Sequence, residues 1–97
     1  MFEANKKRYL TRGVNDTIPF EIQLFLWEAV DNMPAPKDYL QVFKLSIENG
    51  LQAIHHTSEQ PEFDMTYILT TVSNAVEAKI YIIDDGEQCT MLLAEEY

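Results

Sequence analysis

Apolar and polar positions alternate with two different periods along this chain. From Ile18 to Met33 the apolar residues recur at helical spacing. Phe25, Ala29, Ile22, Met33, Leu26 and Val30 form one arc on a helical wheel, and Glu21, Glu28 and Asn32 make a polar wedge. Asn15-Asp16-Thr17 offers capping residues, Pro19 suits a first helical turn, and Pro34-Ala35-Pro36 stops the helix. Phe20, Leu24 and Trp27 widen the apolar arc beyond what a helix lying on one sheet needs. Two readings of that extra stripe stay open: cover by another part of the chain, or a partner surface centred on Trp27.

Elsewhere the period is two. Leu40–Thr57 holds two strand-like runs around Asn49-Gly50, and both residues of that pair accept the positive φ of a two-residue type I′ turn. That loop sets Glu48 opposite Leu51, Leu45 opposite Ile54 and Phe43 opposite His56. Phe43, Leu45, Ile47, Gln52, Ile54 and His56 then share a mainly apolar face. Leu40, Val42, Lys44, Ser46, Glu48, Leu51, Ala53, His55 and Thr57 share a mixed one. A second hairpin, Ala78–Asp84 with Gln88–Ala94, is predicted about Asp85-Gly86, with Ile82 opposite Cys89 and Ile80 opposite Met91. It is apolar on both sides: Ile80, Ile82, Cys89, Met91 and Leu93 on one, Tyr81, Ile83, Thr90 and Leu92 on the other. Arg8–Val14 reads as a short strand in which Gly13 marks a bulge or a close backbone approach. Residues 58–61 read as a linker. Residues 63–77 fit either period, and the threonines of Phe63–Val72 favour a strand there.

The elements predict a single α+β domain over residues 1–97, with residues 1–7 loosely ordered. Its architecture is a mainly antiparallel sheet of about six strands packed with one main helix at 18–33. The proportions do not match. A helix of about 16 residues is ~24 Å long and ~10 Å across, whereas six strands span roughly 24–29 Å. Either the sheet curls around its own core or a second molecule covers the bare side, and a homodimer is the commonest such cover.

Composition narrows the classes. Of 97 residues 46% are apolar and 24% charged, ordinary for a globular protein. The longest apolar runs are strand-sized, so no membrane span is expected, and no apolar stretch follows the basic start as a secretory leader requires. One cysteine, Cys89, builds no disulfide framework, and a reducing cytoplasmic location is expected. The formal net charge is −9, unevenly placed. Lys6, Lys7, Arg8 and Arg12 against Glu3 give residues 1–12 a net +3 and leave the remainder at −12. Such a body repels a phosphate backbone and argues against nucleic acid as partner.

No catalytic motif is present: there is no glycine-rich phosphate loop and no nucleophile elbow. His55 and His56 are neighbours in a strand and point to opposite faces, so they cannot hold one metal together. His56 falls on the apolar face and reads as structural. His55 with Glu59 makes half a metal site that no further ligand spacing completes. Asp84, Asp85 and Glu87 gather at one turn without the calcium-loop spacing, and Cys89 falls among apolar neighbours.

Tyr9-Leu10-Thr11-Arg12-Gly13, Leu26-Trp27-Glu28, Asp38–Phe43, and the ending Lys79–Asp85 with Met91–Tyr97 resemble a family of small proteins from low-GC Gram-positive bacteria, domain of unknown function 960. The resemblance spans nearly the whole chain and implies a short cytoplasmic bacterial protein. It brings no activity, cofactor, metal or catalytic residue.

The expectation is therefore a non-enzymatic protein-interaction module, acting on itself as a homodimer or on another protein. Its contacts would be made through Phe20, Leu24 and Trp27, or through the exposed face of the second hairpin. Two alternatives stand beside it. One is a small metal-dependent enzyme using His55, Glu59 and the turn carboxylates; the other is a weak nucleic-acid binder led by residues 6–12.

Overall fold

Where the chain alternates strictly it becomes strand, and where it does not, distant contacts decide. The computed structural model describes residues 1–97. The chain runs β1 (Lys7–Leu10), α1 (Arg12–Thr17), α2 (Phe20–Asp31), β2 (Leu40–Glu48), β3 (Leu51–Glu59), β4 (Glu62–Leu69), β5 (Ala78–Asp84) and β6 (Gln88–Leu93), then a short 3-10 turn at Ala94–Glu96. The strands form one six-stranded sheet in the order β1-β6-β5-β2-β3-β4. All neighbours are antiparallel except β1, which pairs in parallel with β6. The sheet does not close into a barrel: β1 and β4 are free edges.

The first hairpin follows from its turn. Asn49 and Gly50 have φ of 53° and 78°, and Glu48 stands opposite Leu51. The second differs in register. Ile82 faces Met91 and Asp84 faces Cys89, two residues from the alignment expected of an Asp85-Gly86 loop. Gly86 instead takes the first loop position at φ 102°, followed by Glu87. The Asp85 carboxylate accepts from the amides of Glu87 and Gln88, both at 3.0 Å, and this captures the turn one step further on. A shift of two keeps every side chain on its face.

The predicted helix and first strand are each cut short. Ile18, before Pro19, is extended (φ −107°, ψ 120°), as the proline ring demands, so the long helix begins only at Phe20. Residues 12–14, read as strand, belong to α1. Thr11 caps it by accepting from Val14 N at 3.3 Å, and Val14 is fully buried. Gly13 marks a close approach: a Cβ there would lie 2.5 Å from Glu96 Oε2. Residues 58–61 form no linker; β3 turns into β4 at Gln60-Pro61, a cis peptide.

The core lies between the helices and one sheet face. Ile22, Leu26, Ala29 and Val30 of α2, with Val14 and Ile18, meet Phe43, Leu45, Ile54, Ile80, Ile82, Cys89 and Met91. Each fully buried aliphatic side chain contributes roughly 1.5–3 kcal/mol. Ile47, expected on this face, is largely exposed near the hairpin tip. Residues 1–7, read as a loose start, are anchored: Phe2 joins the core at 3% exposure, and its amide donates to Asp84 Oδ2 at 2.6 Å.

Candidate functional site

Every α-helix packs on the same side of the sheet, so the opposite side is open. Its residues are the alternate positions of each strand. Leu40 stands opposite Ile83, and Val42 lies between Tyr81 and Thr57. Tyr81 in turn faces Leu92. None of Leu40, Val42, Tyr81, Ile83 and Leu92 belongs to the core cluster. The Tyr97 ring stands edge-on to Tyr81, with centroids 5.5 Å apart, and borders the patch on the β6 side.

This face is zoned along the strand direction. At one end Lys44 is directly opposite Lys79, with His55 on the other flank of Lys44. Neither lysine is in an ion pair within the chain, although like charges directly opposite each other are destabilising. A shallow concavity of about 290 Å³ opens here, lined in part by Lys44, Ser46, Glu48, His55 and Thr66. The middle is the apolar strip. At the far end lie Asp38, Glu59 and Asp85, and a cleft of about 140 Å³ joins Asp38 and Glu59 to Leu40 and Val42. Burial pushes the Asp38 carboxyl up, but the amides of Gln60, Leu40 and Glu59 donate to it and hold it below its ordinary value. It stays ionised at neutral pH.

The residues singled out by sequence fall into separate places. Phe20 and Leu24 are 67% and 51% exposed on the outer side of α2. Trp27 is half-buried, with the Arg8 guanidinium 4.8 Å over its ring, and Arg8 is paired with Asp31. The extra apolar stripe is thus covered by β1 at Trp27 and bare at Phe20 and Leu24. His55 Nε2 contacts Asp64 Oδ1 at 2.8 Å. Glu59, four residues along β3, is ~13 Å away by strand rise. No three His, Cys, Asp or Glu side chains converge as a metal-binding group.

His56 is fully buried, stacked on Phe43, with Nε2 2.7 Å from Gln41 Oε1. Gln41 Nε2 donates to Asp38 O, which turns the amide oxygen to the histidine, so Nε2 carries the proton. Nδ1 has no partner. Burial, with a smaller push from His55, lowers the His56 pKa to about 4.

The turn carboxylates serve the fold. Burial raises the Asp84 carboxyl, but Lys6 at 2.8 Å and the amides of Phe2 and Gly86 bring it down to about 2. Lys6 and Arg8 are therefore engaged within the chain, leaving Lys7 and Arg12 from the basic start. Burial pushes the Cys89 thiol up, the environment of an inert cysteine. Sequence periodicity places Lys44 on the mixed face of the first hairpin, and alternation puts Lys79 on the side of Tyr81 and Ile83 in the second. The register that sets them side by side comes from β2 pairing with β5, for which no local signal exists.

No helix is long and apolar enough to cross a membrane. A comparison with curated proteins finds no match. Among solved structures, the crystal structure of a protein of unknown function from Enterococcus faecalis is similar over 99% of this chain and 94% of its own, at 28% identity and a TM-score of 0.86. The family described as Staphylococcal protein of unknown function (DUF960) matches residues 7–96, and the chain belongs to that family.

Proposed function

We propose that this protein is a non-enzymatic interaction module whose docking surface is the open face of its sheet. One observation carries the reading: Leu40, Val42, Tyr81 and Ile83 form an apolar strip on the side away from both helices, outside the core. A strip of this kind rimmed by charged residues is the usual make-up of a protein contact surface. The helix stripe fits less well. Its aromatic anchor, Trp27, is already occupied by Arg8, and Phe20 with Leu24 alone makes a small patch. The charge balance favours protein over nucleic acid, since the open face carries two lysines against a body of −9.

A photo-crosslinking residue placed at position 81 tests the reading in living cells, with position 24 as the helix-side control. The expected result is a discrete protein adduct from position 81, at a yield well above that from position 24. An absence of adducts from position 81 overturns the reading.

A further inference from the structure

We infer that the open face receives a second copy of this chain, related by a twofold axis that lies in the interface and runs across the strands. This deepens the interaction reading above and rests on it. The zoning of the face selects that axis. Along β5 the outward residues run Lys79, Tyr81, Ile83, with Asp85 just past its end; along β2 they run Leu40, Val42, Lys44, with Asp38 two residues before its start; along β3 they run His55, Thr57, Glu59. A twofold axis between the Leu40–Ile83 row and the Val42–Tyr81 row inverts each sequence. It sets Lys79 against Asp85 of the second copy, Lys44 against its Asp38 and Thr57 against its Glu59. The apolar rows meet in the middle. Each lysine finds a carboxylate, and the same operation satisfies both copies, so the contact closes as a dimer. This also accounts for Lys44 and Lys79 standing side by side without an ion pair of their own.

The size is adequate. Five strands from β6 to β4 span about 24 Å, and the zone from Lys79 to Asp85 is about 20 Å long. Two such faces bury roughly 1,000 Å², the lower bound of a specific association, so a dimer of modest affinity is expected.

Sedimentation equilibrium on the full chain tests this. The wild type is expected to dimerise, and Lys79→Glu to weaken the dimer about tenfold, because the axis repeats each lost pair. Asp85→Asn added to Lys79→Glu in the same chain is expected to recover part of the lost dimerisation, because it removes the charge facing position 79 across the axis while its Oδ1 still accepts from the Glu87 and Gln88 amides. Within one copy the two positions are six residues, about 20 Å, apart, so recovery reports a contact between copies. Circular dichroism of each variant checks that the sheet is intact. A wild type that stays monomeric, or a double variant no better than Lys79→Glu, overturns the inference. A monomer that still gives a heterologous adduct from position 81 would remove the dimer and leave the interaction reading standing.

Discussion

At the scale of single residues, the buried polar groups divide into those that are satisfied and one that is not. Gln52 donates to the carbonyls of Ser46, Ala53 and Val76 and accepts from the Val76 amide, so it ties the 70–77 loop to the sheet without an orphan atom. His56 leaves Nδ1 bare, its ring packed between Phe43 and Phe63. Protonating that nitrogen would bury a cation with no carboxylate facing it. Its folded pKa of about 4 lies below the 6.5 of a free imidazole. Between those values the unfolded chain binds more protons than the folded one, so stability is full above about pH 6.5 and falls as pH drops towards 4. The loss should reach about 3 kcal/mol. Urea unfolding at pH 7 and pH 4.5 checks this. His56→Gln, which keeps a donor for Gln41, is expected to flatten the slope. A variant that retained the full slope would assign it to carboxylates instead. Asp84 adds little to that window, because its contribution is complete above the ordinary carboxyl value of 3.8 and is lost as the pH falls from there towards 2.

Elements differ in how much of their geometry is written locally. The Asn49-Gly50 hairpin is legible because two adjacent residues tolerate positive φ and the alternation on either side agrees with the turn. Gly50 at φ 78° has open space where a Cβ would stand, so Gly50→Ala meets only backbone strain. It should cost about 1–2 kcal/mol in denaturant titrations, with the slope against denaturant unchanged. An unchanged midpoint would mean that the loop shifts to another turn at no cost. The α1 segment is not legible. Gly13, Asn15, Asp16 and Thr17 are poor helix formers, and the helix exists because Val14 is buried and Glu96 closes over Gly13. That second contact joins the two ends of the chain, beyond any local pattern. The second hairpin lies between these cases. Gly86 is recognisable as a turn residue, but the Asp85 side chain, capturing two amides, settles which side of the glycine the loop occupies. The faces survive the shift of register, which is why the apolar strip at Tyr81 and Ile83 can be read before the pairing is known.

For the whole molecule the question is how two bodies of like charge can associate. Each copy carries −9, and stacking along the shortest dimension, 23 Å, brings the two charges close. Between about 0.01 M and 0.15 M salt the screening length falls from ~30 Å to ~8 Å. Treated as point charges about 25 Å apart in water, the copies repel by roughly 6 kcal/mol at the lower salt and by less than ~1 kcal/mol at the higher. Contacts between Lys79 and Asp85, or Lys44 and Asp38, act over a few ångströms and are screened far less over the same range. Adding salt should therefore first tighten the dimer, by removing the net repulsion, and then loosen it towards 1 M as the local pairs are screened in turn. Sedimentation equilibrium across that range checks the balance. Lys79→Glu takes the net charge from −9 to −11 and removes a local attraction. Its dissociation constant should therefore fall more steeply with the first additions of salt and lack the later rise. A wild-type dissociation constant that only rises from the lowest salt upward would contradict this balance. It would mean that the opposed lysines and carboxylates, rather than the apolar strip, hold most of the contact.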